Sequence, residues 1–202
     1  MIYLELRTTP RAIPEQGILK AQYVETILSC IEEYERDSSH RLRTRLILSV
    51  DRRITLAEAM DTITLATTYQ SRGVVGVDLC GDPAKGPITP FAPVFRQAKA
   101  AGLRITLHFA EAPASSTDDE LRTLLSWQPD RIGHVIHVPD ELKKEIVGMN
   151  VGVELCLSCN VHAKMITGTY SDHHFGWWKS NHAAVALCVS RTCLIKECKL
   201  AC

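Results

Sequence analysis

Apolar positions along the chain switch between two spacings, and their succession predicts strands and helices in turn. Ile2 to Leu6 reads as a strand, and Arg7-Thr8-Thr9-Pro10-Arg11 behind it is a polar turn whose proline ends any ladder. From Leu19 to Arg36 the residues Leu19, Tyr23, Val24, Ile27, Leu28, Ile31 and Tyr34 recur at helical spacing. Arg45 to Val50 is the next strand and ends in Asp51-Arg52-Arg53. Thr55 with Glu58 has the form of a capping box for a helix to about Gln70, which Gly73 stops. Val74 to Leu79 is a nearly continuous apolar run, as in a parallel strand covered on both faces.

The alternation goes on. Phe91 to Ala101 is a helix closed by Gly102, and the strand Leu103 to His108 follows at once. Thr117 with Glu120 starts a helix to Trp127, Arg131 to Ile136 is a strand carrying His134, and Pro139 to Val147 is a short helix. Val151 to Cys156 is a strand followed by the polar loop Leu157-Ser158-Cys159-Asn160. A less regular region with His173, His174, Trp177 and Trp178 precedes a last short strand, Ala184 to Val189. About seven strands with helical connections suit repeated right-handed βαβ crossovers. The expected fold is a (β/α)8 TIM barrel, although such barrels usually take about 250 residues and eight strands, so one stave is missing. A doubly wound open sheet tolerates that count better, but no G-x-G-x-x-G follows any strand.

Composition narrows the class. A chain of 202 residues with 46% hydrophobic content can build one domain with a real core. Lys plus Arg and Asp plus Glu balance at 23 each, so no overall field favours nucleic acid or an anionic membrane. No apolar run approaches a membrane helix and no secretory leader is evident, so a cytoplasmic protein is expected, and the folded chain is expected to be a monomer. The eight cysteines then read as free thiols. Cys30 and Cys80 sit in apolar settings, and Cys188, Cys193, Cys198 and Cys202 lack the paired spacing of a zinc ribbon.

Parallel strands deliver chemistry at their carboxyl ends. Those ends carry Thr8 to Arg11, Asp51, Gly81, His108 with Glu111, His134, and Ser158 with Asn160. Neutral imidazole is a common zinc ligand, and a carboxyl group just beyond it can move a proton. No G-x-S-x-G elbow and no phosphate-binding loop is present, and Cys156 and Cys159 have no evident partner base. Arg11 suits an anionic substrate or, equally, a solvated turn.

The stretches L-H-F-A-E at Leu107 to Glu111, R-I-G-H at Arg131 to His134 and V-E-L-C-x-S-x-N at Val153 to Asn160 resemble successive motifs of adenosine deaminases. The resemblance extends through LELRTTPR, SVDRR and VDLCGDP and covers about Ile2 to Cys188, leaving 189–202 as an atypical Cys-rich tail. The TTPR turn is more similar to the adenosine deaminase-like branch, whose members remove the N6 substituent of N6-methyl-AMP. The resemblance implies a zinc-dependent hydrolysis at purine C6 that gives IMP and methylamine, with one Zn2+ per complete active site. On this resemblance His108 is a zinc ligand, Glu111 the proton donor to purine N1, and His134 supports the attacking water and the developing charge. Thr8, Thr9, Pro10, Arg11, Asp51 and Gly81 match nucleotide-contacting positions, and the implied partner is a purine nucleoside monophosphate.

The chain also departs from the family pattern. The family's H-x-H strand has no counterpart, and Val189-Ser190-Arg191 stands where a Thr-Asp-Asp would follow the last strand. The expected fold is therefore an incomplete (β/α)8 barrel lacking the first strand and the normal end of the last βα unit. With a single zinc ligand of the family's set, the chain is expected to be weakly active or inactive. A purine-nucleotide-binding or interaction protein without catalysis is the alternative. His173, His174 and His182 are the candidates for replacement ligands, and Val135 replaces the second glycine of R-I-G-H-G.

Overall fold

The computed structural model describes residues 2–37, 39 and 41–189, so the tail lies outside it except for Val189. The chain divides into two compact units, with the boundary between Ile105 and Thr106.

The first unit contains β1 (Tyr3–Thr8), α1 (Lys20–Arg36), β2 (Arg43–Asp51), α2 (Leu56–Thr68), β3 (Val74–Cys80), α3 (Ala92–Ala100) and the start of β4 (Arg104–Phe109). β1 runs parallel to β2 with Thr8 opposite Leu48, and β2 parallel to β3 with Asp51 opposite Cys80. The carboxyl ends of the three strands therefore share one edge. In β2, Leu46, Ile47, Leu48 and Val50 are all buried, with the buried Ser49 as the one polar residue among them, the nearly continuous apolar run that two covered faces require. α2 packs on β2 and β3 with Ala59, Ile63 and Ala66 inward. Each fully buried Leu, Ile or Val contributes roughly 1.5–3 kcal/mol. The capping box forms as expected: Glu58 N–H donates to Thr55 Oγ1 and Thr55 N–H to Glu58 Oε2. α2 stops at Thr68 rather than Gln70, because the 3-10 turn Gln70–Arg72 takes over and Gly73, at φ +109°, releases the chain into β3. At Gly76 a Cβ would lie 2.6 Å from the Arg104 carbonyl oxygen, so only glycine allows that close approach. Cys30 proves exposed, on the outer face of α1, rather than apolar in setting.

The second unit carries the rest of β4, then α4 (Asp118–Ser126), β5 (Arg131–His134), α5 (Asp140–Gly148), β6 (Gly152–Leu155), α6 (Leu157–His162), α7 (Phe175–Ser180) and β7 (Val185–Leu187). Its strands pair in parallel in the order β4-β5-β6-β7. Leu107, Phe109, Leu121, Ile132, Ile146, Val153, Leu155 and Trp178 are fully buried. Arg131 Nε meets the buried Glu154 carboxylate at 3.0 Å and ties β5 to β6. Two expectations change. Leu157 to Asn160 is the first turn of α6, closed by Asn160 N–H donating to the Cys156 carbonyl. The region around the tryptophans contains α7, a short helix anchored by Trp178 alone, too brief to show a period. Among the described residues no helix is long and apolar enough to cross a membrane, and five cysteines are free.

Candidate functional site

β4 delivers His108 at its carboxyl end, half-buried between Leu107 and Phe109. In the parallel register Phe109 lies opposite His134, so an extended His134 would point to the face of Phe109 and away from His108. The backbone prevents this. His134 and Val135 have φ +65° and +49°, and Ala110 has φ +50°. The left-handed turn re-aims the imidazole, and the rings of His108 and His134 lie 5.2 Å apart at 44°. It also ends β5 at His134, two residues earlier than the sequence pattern suggests. Val135 N–H donates to the Phe109 carbonyl, and the amides of Ile136 and His137 donate to that of Ala110, so the ends of β4 and β5 interlock. Glu111 follows from that turn, and its Oε1 stands 3.6 Å from His134 Nε2.

His134 is held from behind. Asn160 Oδ1 lies 3.2 Å from His134 Nδ1, and Asn160 Nδ2 lies 3.0 Å from His173 Nε2. Phe175 N–H donates to His173 Nδ1 over 2.9 Å. Asn160 is completely buried and His173 nearly so. His174 Nε2 lies 2.7 Å from the His134 carbonyl oxygen, and its ring stacks on His173 at 4.1 Å. Burial lowers the pKa of His173, and burial beside His173 pushes His174 down to about 4. Sequence reasoning put Asn160 at a strand end but missed its partners, since the bracing histidines come from an irregular segment.

In the first unit the residues assigned to nucleotide contact fall into two clusters. The Thr8 hydroxyl lies 2.7 Å from that of Tyr23, and the Arg11 guanidinium sits over the Tyr23 ring at 5.4 Å. Pro10 is buried between them in sequence. Asp51 bonds Arg53 through Nε and Nη2, and that guanidinium holds its carboxyl below the usual range. Gly81, at φ +106°, packs so closely that a Cβ would strike the Asp51 carboxylate. Thr9 Oγ1 lies 3.7 Å from Cys80 Sγ, whose pKa is pushed up to about 12 by burial and by Asp78, which makes it a poor nucleophile.

His108, Glu111 and His134 each offer one ligand atom, and these atoms lie within 4.8 Å of one another. Imidazole and carboxylate are donor types that divalent metals accept, so the chemistry at this end of β4 and β5 suits one. Among the described residues His173, His174 and His182 do not join it.

The adenosine deaminase family model matches residues 1–187, and the chain belongs to that family. Within it the chain is similar to an N6-methyl-AMP deaminase of Danio rerio, 37% identical over 195 residues that cover 92% of this chain and 55% of the relative. The Homo sapiens N6-methyl-AMP deaminase is 35% identical, with 88% and 52% covered. The crystal structure of Arabidopsis N6-mAMP deaminase superposes with a TM-score of 0.86 at 34% identity, over 93% of this chain and 56% of that one. Arabidopsis ADAL complexed with IMP gives 0.85 at 34%, with 93% and 55% covered. The fold is an incomplete (β/α)8 barrel, and the open-sheet alternative falls away. The chain spans about half the length of the curated relatives it matches.

Proposed function

We propose that the chain carries the chemistry of a metal-dependent aminohydrolase acting at C6 of an N6-substituted purine nucleoside monophosphate. N6-methyl-AMP and water would give IMP and methylamine. The observation that carries this reading is the gathering of His108, Glu111 and His134 at the ends of β4 and β5, on residues that match the family's motifs. A divalent metal, held by His108 and by ligands beyond this group, would make water acidic enough to lose a proton near neutral pH. Glu111 donates a proton to purine N1, which draws electrons from C6 and opens it to attack. His134 then faces the oxygen that adds, and the amine leaves with a proton. Thr8, Thr9, Pro10, Arg11, Asp51 and Gly81 hold the nucleotide, with Arg11 as the charged donor for its phosphate.

With His108 as the single family ligand among the described residues, the isolated chain is weakly active or inactive, because catalytic zinc takes about three protein ligands. Purified chain with Zn2+ and N6-methyl-AMP is expected to release methylamine at trace level at most. Robust release that disappears in Glu111→Gln would overturn the inactivity. If a relative completed by the H-x-H and Asp-Asp segments releases none from N6-methyl-AMP, the substrate assignment is overturned.

A further inference from the structure

We infer that the backbone N–H of Phe175 fixes the direction of a hydrogen-bond chain through His173 and Asn160, and that this chain keeps the proton of neutral His134 on Nε2, the nitrogen facing Glu111. The hydrogen-bond chain begins at a group with no choice. A peptide N–H only donates, so His173 Nδ1, 2.9 Å from it, accepts and carries no proton. Neutral imidazole has one donor and one acceptor, so His173 Nε2 carries the hydrogen and donates. Its burial favours the neutral ring.

The partner of that Nε2–H, 3.0 Å away, is the side-chain amide of Asn160, which stands with Nδ2 on that side and Oδ1 toward His134. Only the amide oxygen can accept, and the two ends of an amide exchange places by a half-turn with almost no change in shape. After that half-turn the oxygen lies toward His173, and the NH2 end, taking the place of Oδ1 3.2 Å from His134 Nδ1, donates to it. His134 Nδ1 is then the acceptor, and the proton sits on Nε2, 3.6 Å from Glu111 Oε1. The opposite orientation would press two donors on the two nitrogens of His173 and leave a buried N–H unmatched, at a cost of about 1–3 kcal/mol. His174 closes the face of His173 and donates its own Nε2–H to the His134 carbonyl, so ring and backbone of His134 are held together.

A ligand nitrogen needs a free lone pair, so a protonated Nε2 withdraws His134 from the ligand set and leaves it as a donor. Asn160 and His173 are thus positioning residues for a donor to the developing negative charge. That use in catalysis rests on the deaminase reading; the place of the proton does not.

The test is long-range 1H–15N NMR of the metal-free 202-residue chain at a pH where imidazoles are neutral, with His134→Gln to assign the ring. His134 is expected to show a protonated Nε2 and a bare Nδ1. A proton on Nδ1 in the unaltered chain overturns the inference. Asn160→Asp replaces the amide by a group that only accepts, and is expected to put a proton on Nδ1. A folded Asn160→Asp with Nδ1 still bare overturns the role of Asn160. Should that variant not melt cooperatively, His173→Leu frees the amide to turn, and both His134 tautomers should appear. A folded His173→Leu that keeps only Nε2–H overturns the role of His173. None of these readouts needs substrate or turnover, so a failed methylamine assay leaves them intact.

Discussion

Val135 is fully buried at φ +49°, and the two facts pull in opposite directions. Burial of its methyl groups contributes roughly 1.5–3 kcal/mol, whereas a non-glycine residue held in the left-handed region costs about 1–3 kcal/mol. Glycine would lose the first and recover the second. Val135→Gly is therefore expected to change stability by only about 1 kcal/mol in urea denaturation, while Val77→Gly, on extended strand backbone, costs about 3 kcal/mol. A large loss at Val135 would mean the turn is unstrained. The sequence offered a hint here, since the resembling motif has glycine at this place. What it could not reveal was that the same turn re-aims His134, because period-two alternation assumes extended φ throughout.

At the scale of elements, α7 and the two histidines before it brace the end of β5, and they make stability depend on pH. The pKa of His174 stands at about 4 in the folded chain against an ordinary 6.5. Between those values the unfolded chain holds a proton that the folded chain refuses, so stability rises with pH across that window. The contribution is complete above about pH 6.5 and is lost progressively as pH falls toward 4. Urea midpoints at pH 7.5 and 4.5 are expected to differ less for His174→Gln, whose amide keeps a donor for the His134 carbonyl and does not titrate. An equal pH dependence would dissociate His174 from the effect. The long elements were legible from pattern: α1, α2, β2 and β3 are apolar at regular spacing and run for several turns or a full strand. α6 and α7 were not, because six residues with one buried anchor each give no repeat to read.

For the whole molecule, the equal numbers of acidic and basic residues leave recognition of an anion to local groups. Arg11, poised over Tyr23, is the residue proposed for a phosphate. In equilibrium dialysis, a nucleoside monophosphate is expected to bind with and without chelator, and Arg11→Ala to weaken it about ten-fold, the loss of one charged hydrogen bond. No detectable binding at millimolar ligand would remove both the deaminase and the binding reading for the isolated chain. The barrel class was readable from the alternation of strands and helices, and the family from three short motifs. The grouping of His108, Glu111 and His134 depended on register and on a turn, which spacing alone does not encode.

Because the donor that starts the chain of bonds behind His134 belongs to a peptide group, none of the twenty side chains specifies it. Drift at position 175 can alter bulk and polarity freely without reversing where the proton resides. Proline is the exception, and the right-handed helical backbone of His174, at φ −61° and ψ −4°, is a conformation that a following proline disfavours. The polarity of this part of the molecule is thus inherited through the main chain and guarded by it against the one replacement that would erase it.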